Sequence, residues 1–195
     1  GKEIVPVILL HGYKGNSNEL ADLATYLQGL MSADKKPVGH AVIVPDLRGH
    51  GESIYLEGRD RPLEVDRLRP DDFRNMVRYD MEAVKKFLMS KNNAGELNIE
   101  KLCVIGADMG AVVATNWAAA DWSWPILAGQ KQGRDVKALV LISPPRDIKG
   151  LSIYQPLDHP AVRKDLSILV VVGDGNARSL ADARSVYSRL EKFHP

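Results

Sequence analysis

Residues 102–114 read Leu-Cys-Val-Ile-Gly-Ala-Asp-Met-Gly-Ala-Val-Val-Ala, and Asp108 at their centre is the side chain best placed to do chemistry. The segment has the form of an apolar strand, Gly-x-Nuc-x-Gly, then a helix of small residues. In the common Gly-x-Ser-x-Gly version a serine sits on the sharp strand-to-helix turn and exposes its hydroxyl. Here Gly106 and Gly110 hold the glycine positions, and a carboxylate replaces the hydroxyl. A carboxylate side chain is ordinarily ionised near neutral pH and attacks an electrophile without a base to activate it. Aspartate is also a favoured helix N-cap, accepting from free amides and opposing the helix dipole.

Either use needs a scaffold. Five short runs are rich in Val, Ile and Leu: Val5–Leu10, 41–44, 101–105, Val136–Ile142 and 167–172. They lack polar alternation, which predicts strands buried on both faces of a parallel sheet. Helical patterns separate them. Residues 16–31 open with Asn16 and carry Glu19 three positions on, the pattern of a capping box. Residues 71–90 place Phe73, Met76, Val77, Met81, Val84, Phe87 and Leu88 at helical spacing. Residues 109–120 form a small-residue helix, and residues 179–193 carry Leu180, Ala183, Val186, Tyr187 and Leu190 at helical spacing. Strand alternating with helix predicts an α/β fold with an open, mostly parallel sheet flanked by helices. Ligands of such sheets bind outside the carboxyl ends of the strands. The loops to read are therefore 11–17, 46–70, 107–110, 143–165 and 173–177.

The chain has 195 residues, 45% apolar and 26% charged, which suits one globular domain with a sizeable core. A net charge of +1 gives no broad basic face for nucleic acid and no acidic tail. The single cysteine, Cys103, excludes an internal disulfide framework and reads as a small core residue. No apolar run reaches the roughly 18 residues of a membrane span. No signal peptide is visible, and the compartment is left unassigned. Nothing in the sequence calls for a metal or a cofactor.

The loop after the first strand reads His11-Gly12-Tyr13-Lys14-Gly15-Asn16, and the loop after the second reads Pro45-Asp46-Leu47-Arg48-Gly49-His50-Gly51-Glu52-Ser53. With Gly106–Gly110 these segments resemble the α/β-hydrolase superfamily, within it the compact esterase, monoglyceride-lipase and serine-aminopeptidase-like branch. The resemblance runs from Val5 to about Lys192. It implies a sheet of order 2-1-3-4-5, with edge strands missing at both ends, as in the core of a longer chain. It implies that the backbone N–H groups of Tyr13 and Met109 form an oxyanion hole, which stabilises a tetrahedral intermediate. His11, Gly12, Gly106 and Gly110 would support it, with Gly12 and Gly15 supplying backbone freedom. His50 reads as a residue that shapes its loop.

The chain departs from that pattern at each member of the triad. Haloalkane dehalogenases and epoxide hydrolases place an aspartate at the elbow, but with a tryptophan after it; Met109 instead resembles the serine branch. Those enzymes also carry a helical cap, whereas residues 144–165 offer at most a small lid. In the stretch Val172-Gly173-Asp174-Gly175-Asn176, the family's acid falls at Asn176, with Asp174 as a substitute if the loop shifts. An amide can hold an imidazole but cannot stabilise imidazolium by charge. No convincing histidine follows. His40 precedes its strand, His194 ends a helix that runs away from Asp108, and His159 lies in a loop on the correct side. Trp117, Trp122 and Trp124 read as packing residues, and the charged stretch 57–72 as a solvated loop that borders the mouth of the pocket.

The expectation is a hydrolase-fold protein with Asp108 as the cap of an altered elbow and little or no serine-type ester or amide hydrolysis. It would take a small-molecule ligand if the pocket functions. The alternative is an aspartate-nucleophile hydrolase acting on a halide or epoxide. A third reading takes 106–110 as the phosphate loop of a nucleotide-binding domain, although it lacks Gly-x-Gly and a Walker-type lysine.

Overall fold

The computed structural model describes residues 3–32, 34–58, 60–125 and 132–193. Five parallel strands form the main sheet: β1 (Val5–Leu10), β2 (His40–Ile43), β3 (Leu102–Ala107), β4 (Val136–Ile142) and, after a short hairpin, β7 (Ser167–Val171). Their spatial order is β2-β1-β3-β4-β7, which in sheet-strand count is the expected 2-1-3-4-5. The hairpin pairs β5 (Asp147–Ile148) with β6 (Leu151–Ser152). The helices are α1 (Ala21–Gln28), α2 (Pro70–Asn75), α3 (Met81–Asn93), α4 (Met109–Trp122), α5 (Tyr154–Leu157), α6 (Pro160–Lys164) and α7 (Ala177–Leu190). None is long and apolar enough to cross a membrane, among the described residues.

The centre of the molecule is α4 on the sheet. Met109 to Thr115, Trp117 and Ala118 are buried, which small side chains permit by letting the helix lie close to the strands. Gly106 and Gly110 set that distance. A Cβ on Gly106 would lie 2.3 Å from the Gly110 carbonyl oxygen, and one on Gly110 would lie 2.4 Å from the Leu10 carbonyl oxygen. No rotamer relieves a backbone collision, so glycine is required at both. Trp117 is fully buried and donates its indole N–H to Glu82 at 2.8 Å, and the Trp122 indole donates to the Val136 carbonyl at 2.9 Å. Trp124 stays 47% exposed, so only two of the three tryptophans are packing residues.

Beside Trp117 lies an ion network. Lys85 Nζ on α3 stands 2.5 Å from Asp121 Oδ1 on α4 and 3.0 Å from Asp135 Oδ2. Asp121 is fully buried, and its second oxygen accepts the Asp135 and Val136 amides at 2.7 and 3.1 Å. Burial works against the ammonium, but the hydrogen bonds and charges of both carboxylates outweigh it and raise the Lys85 pKa. The network ties α3, the end of α4 and the start of β4 into one body.

Three expectations change. The helix expected over 16–31 begins as a 3-10 turn at Ser17–Leu20, and Asn16 accepts from the Asn18 amide rather than closing a box with Glu19. The helix expected over 71–90 is broken by a π-turn at Met76–Asp80. That turn brings Asp80 to Arg48: Arg48 Nη2 lies 2.5 Å from Asp80 Oδ1, and Arg48 Nε lies 3.0 Å from Oδ2. Finally, β7 is not buried on both faces. It forms an edge of the sheet, with Leu169 56% and Val171 42% exposed, because no described element covers that face.

Candidate active site

β3 delivers Asp108 to the sheet's carboxyl edge, and the Gly106–Gly110 contact forces the chain to reverse there. Asp108 takes φ 49° and ψ −115°. A side chain other than glycine held in such a region costs about 1–3 kcal/mol, and such strain clusters at functional sites. Asp108 thus sits on a strained turn between β3 and α4. Asp108 does occupy the N-cap position of α4, but its side chain makes no capping hydrogen bond. Oδ2 instead accepts the backbone N–H of Tyr13 at 2.9 Å. The expected helix cap is therefore corrected: the elbow aims the carboxylate at the first loop, away from the first amides of α4.

Tyr13 reaches this point because His11 pins the loop. His11 is fully buried. Its Nε2 accepts the Leu47 amide at 3.1 Å, and Nδ1 lies 2.8 Å from the Gly12 carbonyl. An accepting Nε2 requires the proton on Nδ1, which therefore donates to Gly12. The freedom expected of Gly12 and Gly15 is not used, because the left-handed residue of the loop is Lys14, at φ 63°. Gly12 is small for a different reason: a Cβ there would lie 3.3 Å from the Asp108 Cβ.

The second loop braces the first. Asp46 Oδ1 accepts the Ser17 amide at 2.6 Å and Oδ2 the Glu52 amide at 2.9 Å. Burial would raise its pKa, but these amide bonds together outweigh burial and lower it. His50 is 3% exposed, its ring centroid 4.9 Å from that of His11 and 6.1 Å from that of Tyr13. Nδ1 lies 3.0 Å from the Arg48 carbonyl, and Nε2 is buried without a partner among the described residues. Burial foremost, with the neighbouring His11, lowers the His50 pKa below 6.5.

That shift carries a sign. As pH falls through the ordinary histidine range, the unfolded chain takes up a proton at this position while the folded chain resists it. The His50 contribution is complete above pH 6.5 and declines as pH drops toward the lowered folded value. In His50→Asn the amide nitrogen takes the place of the Nδ1 donor without titrating. Thermal melts between pH 8 and pH 5 should show a shallower acid-side fall in Tm for this variant than for the parent. Equal slopes would mean that His50 does not resist protonation.

The remaining candidates do not converge on Asp108. Asn176 is the N-cap of α7, its side-chain oxygen accepting the Arg178 and Ser179 amides at 3.0 Å each. Asp174 is exposed in the preceding turn. His40 opens β2, at the opposite edge of the sheet from Asp108. His194 lies outside the described residues. His159 corrects its expectation. The 144–165 segment runs along α4 as α5 and α6, and His159 Nε2 ends 3.2 Å from Ser123 Oγ, just past the far end of that helix. Fourteen helical residues separate the two ends, about 21 Å at 1.5 Å per residue. Ser123 and His159 do not form a nucleophile and base either. His159 Nδ1 accepts the Ala161 amide at 3.3 Å, so Nε2 carries the proton and cannot take one from serine.

The charged stretch 57–72 makes specific contacts with the first loop. The Tyr13 hydroxyl donates to the Val65 carbonyl at 3.3 Å, and Lys14 pairs with Asp66 at 2.6 Å. Lys149, from the β5–β6 turn, lies 5.9 Å from the Tyr13 ring centroid. Residues 61–72 thus border the loop that holds Asp108. The signal was present in Pro62, Leu63, Val65 and Leu68, which interrupt the charges. No group of His, Cys, Asp and Glu that could hold a metal occurs among the described residues. Burial pushes the Cys103 thiol up to about 11.

The strained elbow after the third strand, the amide of the His-Gly loop on its side chain and the strand order describe a known architecture. The pattern of the alpha/beta hydrolase fold matches residues 5–166. The chain belongs to the alpha/beta hydrolase fold family. No curated protein sequence matches it. Among solved structures, this family member is similar to the α/β-hydrolase GrgF from Penicillium sp. sh18, at 21% identity and TM-score 0.51, over 75% of this chain and 39% of that one. It is also similar to the esterase PE8, at 16% identity and TM-score 0.56, over 98% of this chain and 79% of that one. A carboxylesterase structure from Nitrososphaera gargenis aligns at 12% identity and TM-score 0.58, over 96% and 79%. At these identities the likeness is one of fold. The chain spans less than half the length of the first solved structures that it matches.

Proposed function

We propose that this chain is a small-molecule site on an α/β-hydrolase fold whose serine-type ester and amide hydrolysis is absent or much reduced. The observation that supports this best is the bond from Tyr13 N–H to Asp108 Oδ2. Serine-type acyl transfer needs that amide for the oxyanion of the substrate. Here a carboxylate of the chain occupies it, and a second anion brought there meets like charge. Asp108 also has no hydroxyl from which to form an ordinary acyl-enzyme, since attack on an acyl carbon would give a mixed anhydride. The nucleotide-binding reading meets the same obstacle, because a phosphate would face that carboxylate.

The strain at Asp108 favours a second reading, an aspartate nucleophile. With Oδ2 held by Tyr13, Oδ1 can attack a saturated carbon and expel halide or open an epoxide. The product is an ester whose carbonyl oxygen, Oδ2, already sits on the amide. Hydrolysis then needs a base to activate water, and among the described histidines His11 and His50 brace loops, while His40 and His159 lie at a distance. The second reading expects a covalent ester on Asp108, whose lifetime depends on whether a base reaches it.

One set of measurements tests both. p-Nitrophenyl ester turnover should stay near background and be unchanged in Asp108→Ala. Fast turnover, or labelling by a fluorophosphonate, would overturn the proposal. The esterases among the similar structures make small esters the first ligands to try. Intact-mass analysis and product assays after incubation with alkyl halides and epoxides decide the second reading. An adduct mapped to Asp108, or release of halide or diol that is lost in Asp108→Ala, supports it, and the absence of both removes it.

A further inference from the structure

We infer that the cleft formed by residues 61–72 binds a carboxylate or phosphate group carried by the ligand of this site. The cleft has a volume of about 400 Å³, and Arg61, Arg67 and Arg69 line it over Leu63 and Leu68. That is within the size range of small-molecule pockets.

Its charges do not cancel. Glu64 Oε2 takes Arg67 Nε at 3.0 Å, and Asp72 Oδ2 takes the backbone amide of Arg69 at 2.9 Å. Glu64 is thus paired, and Asp72 keeps its charge but turns one oxygen to a backbone amide, which leaves three guanidinium groups against two carboxylates. Among the described residues, no carboxylate pairs with the guanidinium of Arg61 or of Arg69. Guanidinium is planar, weakly hydrated and forked, and it meets a carboxylate or phosphate through two parallel hydrogen bonds. The leucines beneath would receive the hydrocarbon next to such a group.

The cleft is also joined to the elbow. Tyr13 holds Asp108 through its backbone N–H and this segment through its hydroxyl, at Val65. Lys14 pairs with Asp66 on the same side. Leu68 is wedged beneath the second loop, where a Cβ on Gly49 would lie 2.9 Å from it. A ligand anchored by its anionic end in the cleft would therefore extend along Tyr13 toward Asp108. The inference rests on the Tyr13–Asp108 centre being a ligand site. Its test, however, reads binding alone and does not depend on any reaction at Asp108.

The test is a titration of the uniformly ¹⁵N-labelled chain with inorganic phosphate and, separately, with succinate. Saturable shifts should be confined to the amides of residues 61–72 and the Tyr13 loop, for at least one anion. A tighter response to phosphate assigns a phosphoryl ligand, and a tighter response to succinate a carboxylate. Arg61→Gln/Arg69→Gln should weaken the apparent affinity roughly tenfold, as expected for two partly solvated charge-assisted contacts. Lys164→Gln, away from the cleft, should leave it unchanged. Uniform non-saturating shifts with both anions, or the same affinity in the double variant, would overturn the inference.

Discussion

Lys85→Met is expected to destabilise the fold by about 3–5 kcal/mol, the cost of leaving a buried charge without its partner. The ammonium is 11% exposed and lies between Asp121 and Asp135, which are 0% and 4% exposed. Methionine fills similar volume, so the loss reports the missing charge rather than a cavity. The two buried carboxylates would then lose the ammonium that they share. The double variant Lys85→Met/Asp121→Asn removes one of those charges and keeps an oxygen for the Val136 amide. It should be more stable than the single variant, with a coupling that a double-mutant cycle in urea resolves. A single-variant loss below about 1 kcal/mol, the range of exposed pairs, would show that water already screens the network.

Gly110→Ala should be comparably damaging, and it should act on the site as well. The new Cβ would lie 2.4 Å from the Leu10 carbonyl oxygen and 2.8 Å from that of His11. Overpacking a core typically costs about 1–3 kcal/mol, occasionally more, and collision with backbone belongs at the upper end. Relief requires α4 to back away from β1, which pulls Asp108 from the Tyr13 amide. Chemical denaturation should show a loss near 3 kcal/mol, accompanied by an altered Tyr13 amide resonance. Gly173→Ala, whose Cβ meets nothing within 4 Å, serves as the control, and a surface change of that kind should stay within about 0.5 kcal/mol. Equal stability of the two variants would mean that the elbow glycines are not packing requirements.

The scaffold was largely legible because its signals are local. The apolar runs at Val5–Leu10 and Val136–Ile142 are strands with those limits, and Met109 opens α4. The π-turn at Met76–Asp80 was hidden because apolar residues keep helical spacing on both sides of it. The site was less legible, because it depends on which loops meet. Whether Asp108 caps its helix or reaches Tyr13 is decided by a contact across 95 positions. His159 was misplaced because nothing in its loop says that the chain runs down α4. The cap role of Asn176 was legible too, since an asparagine immediately before a helical pattern is itself a cap signal.

Among the described residues, the open side of β7 is where the sheet is least protected. Residues Ser167–Val171 carry no charge and no proline, and they end the sheet with Leu169 and Val171 facing outward. Natural edges are commonly blunted by a lysine, a bulge or a covering element. Without such a guard among the described residues, this strip offers hydrogen bonds and apolar surface to any chain that drifts by. The fold therefore holds its interior firmly and its border loosely. A charge in place of Leu169 would make that strip less inviting to a second strand.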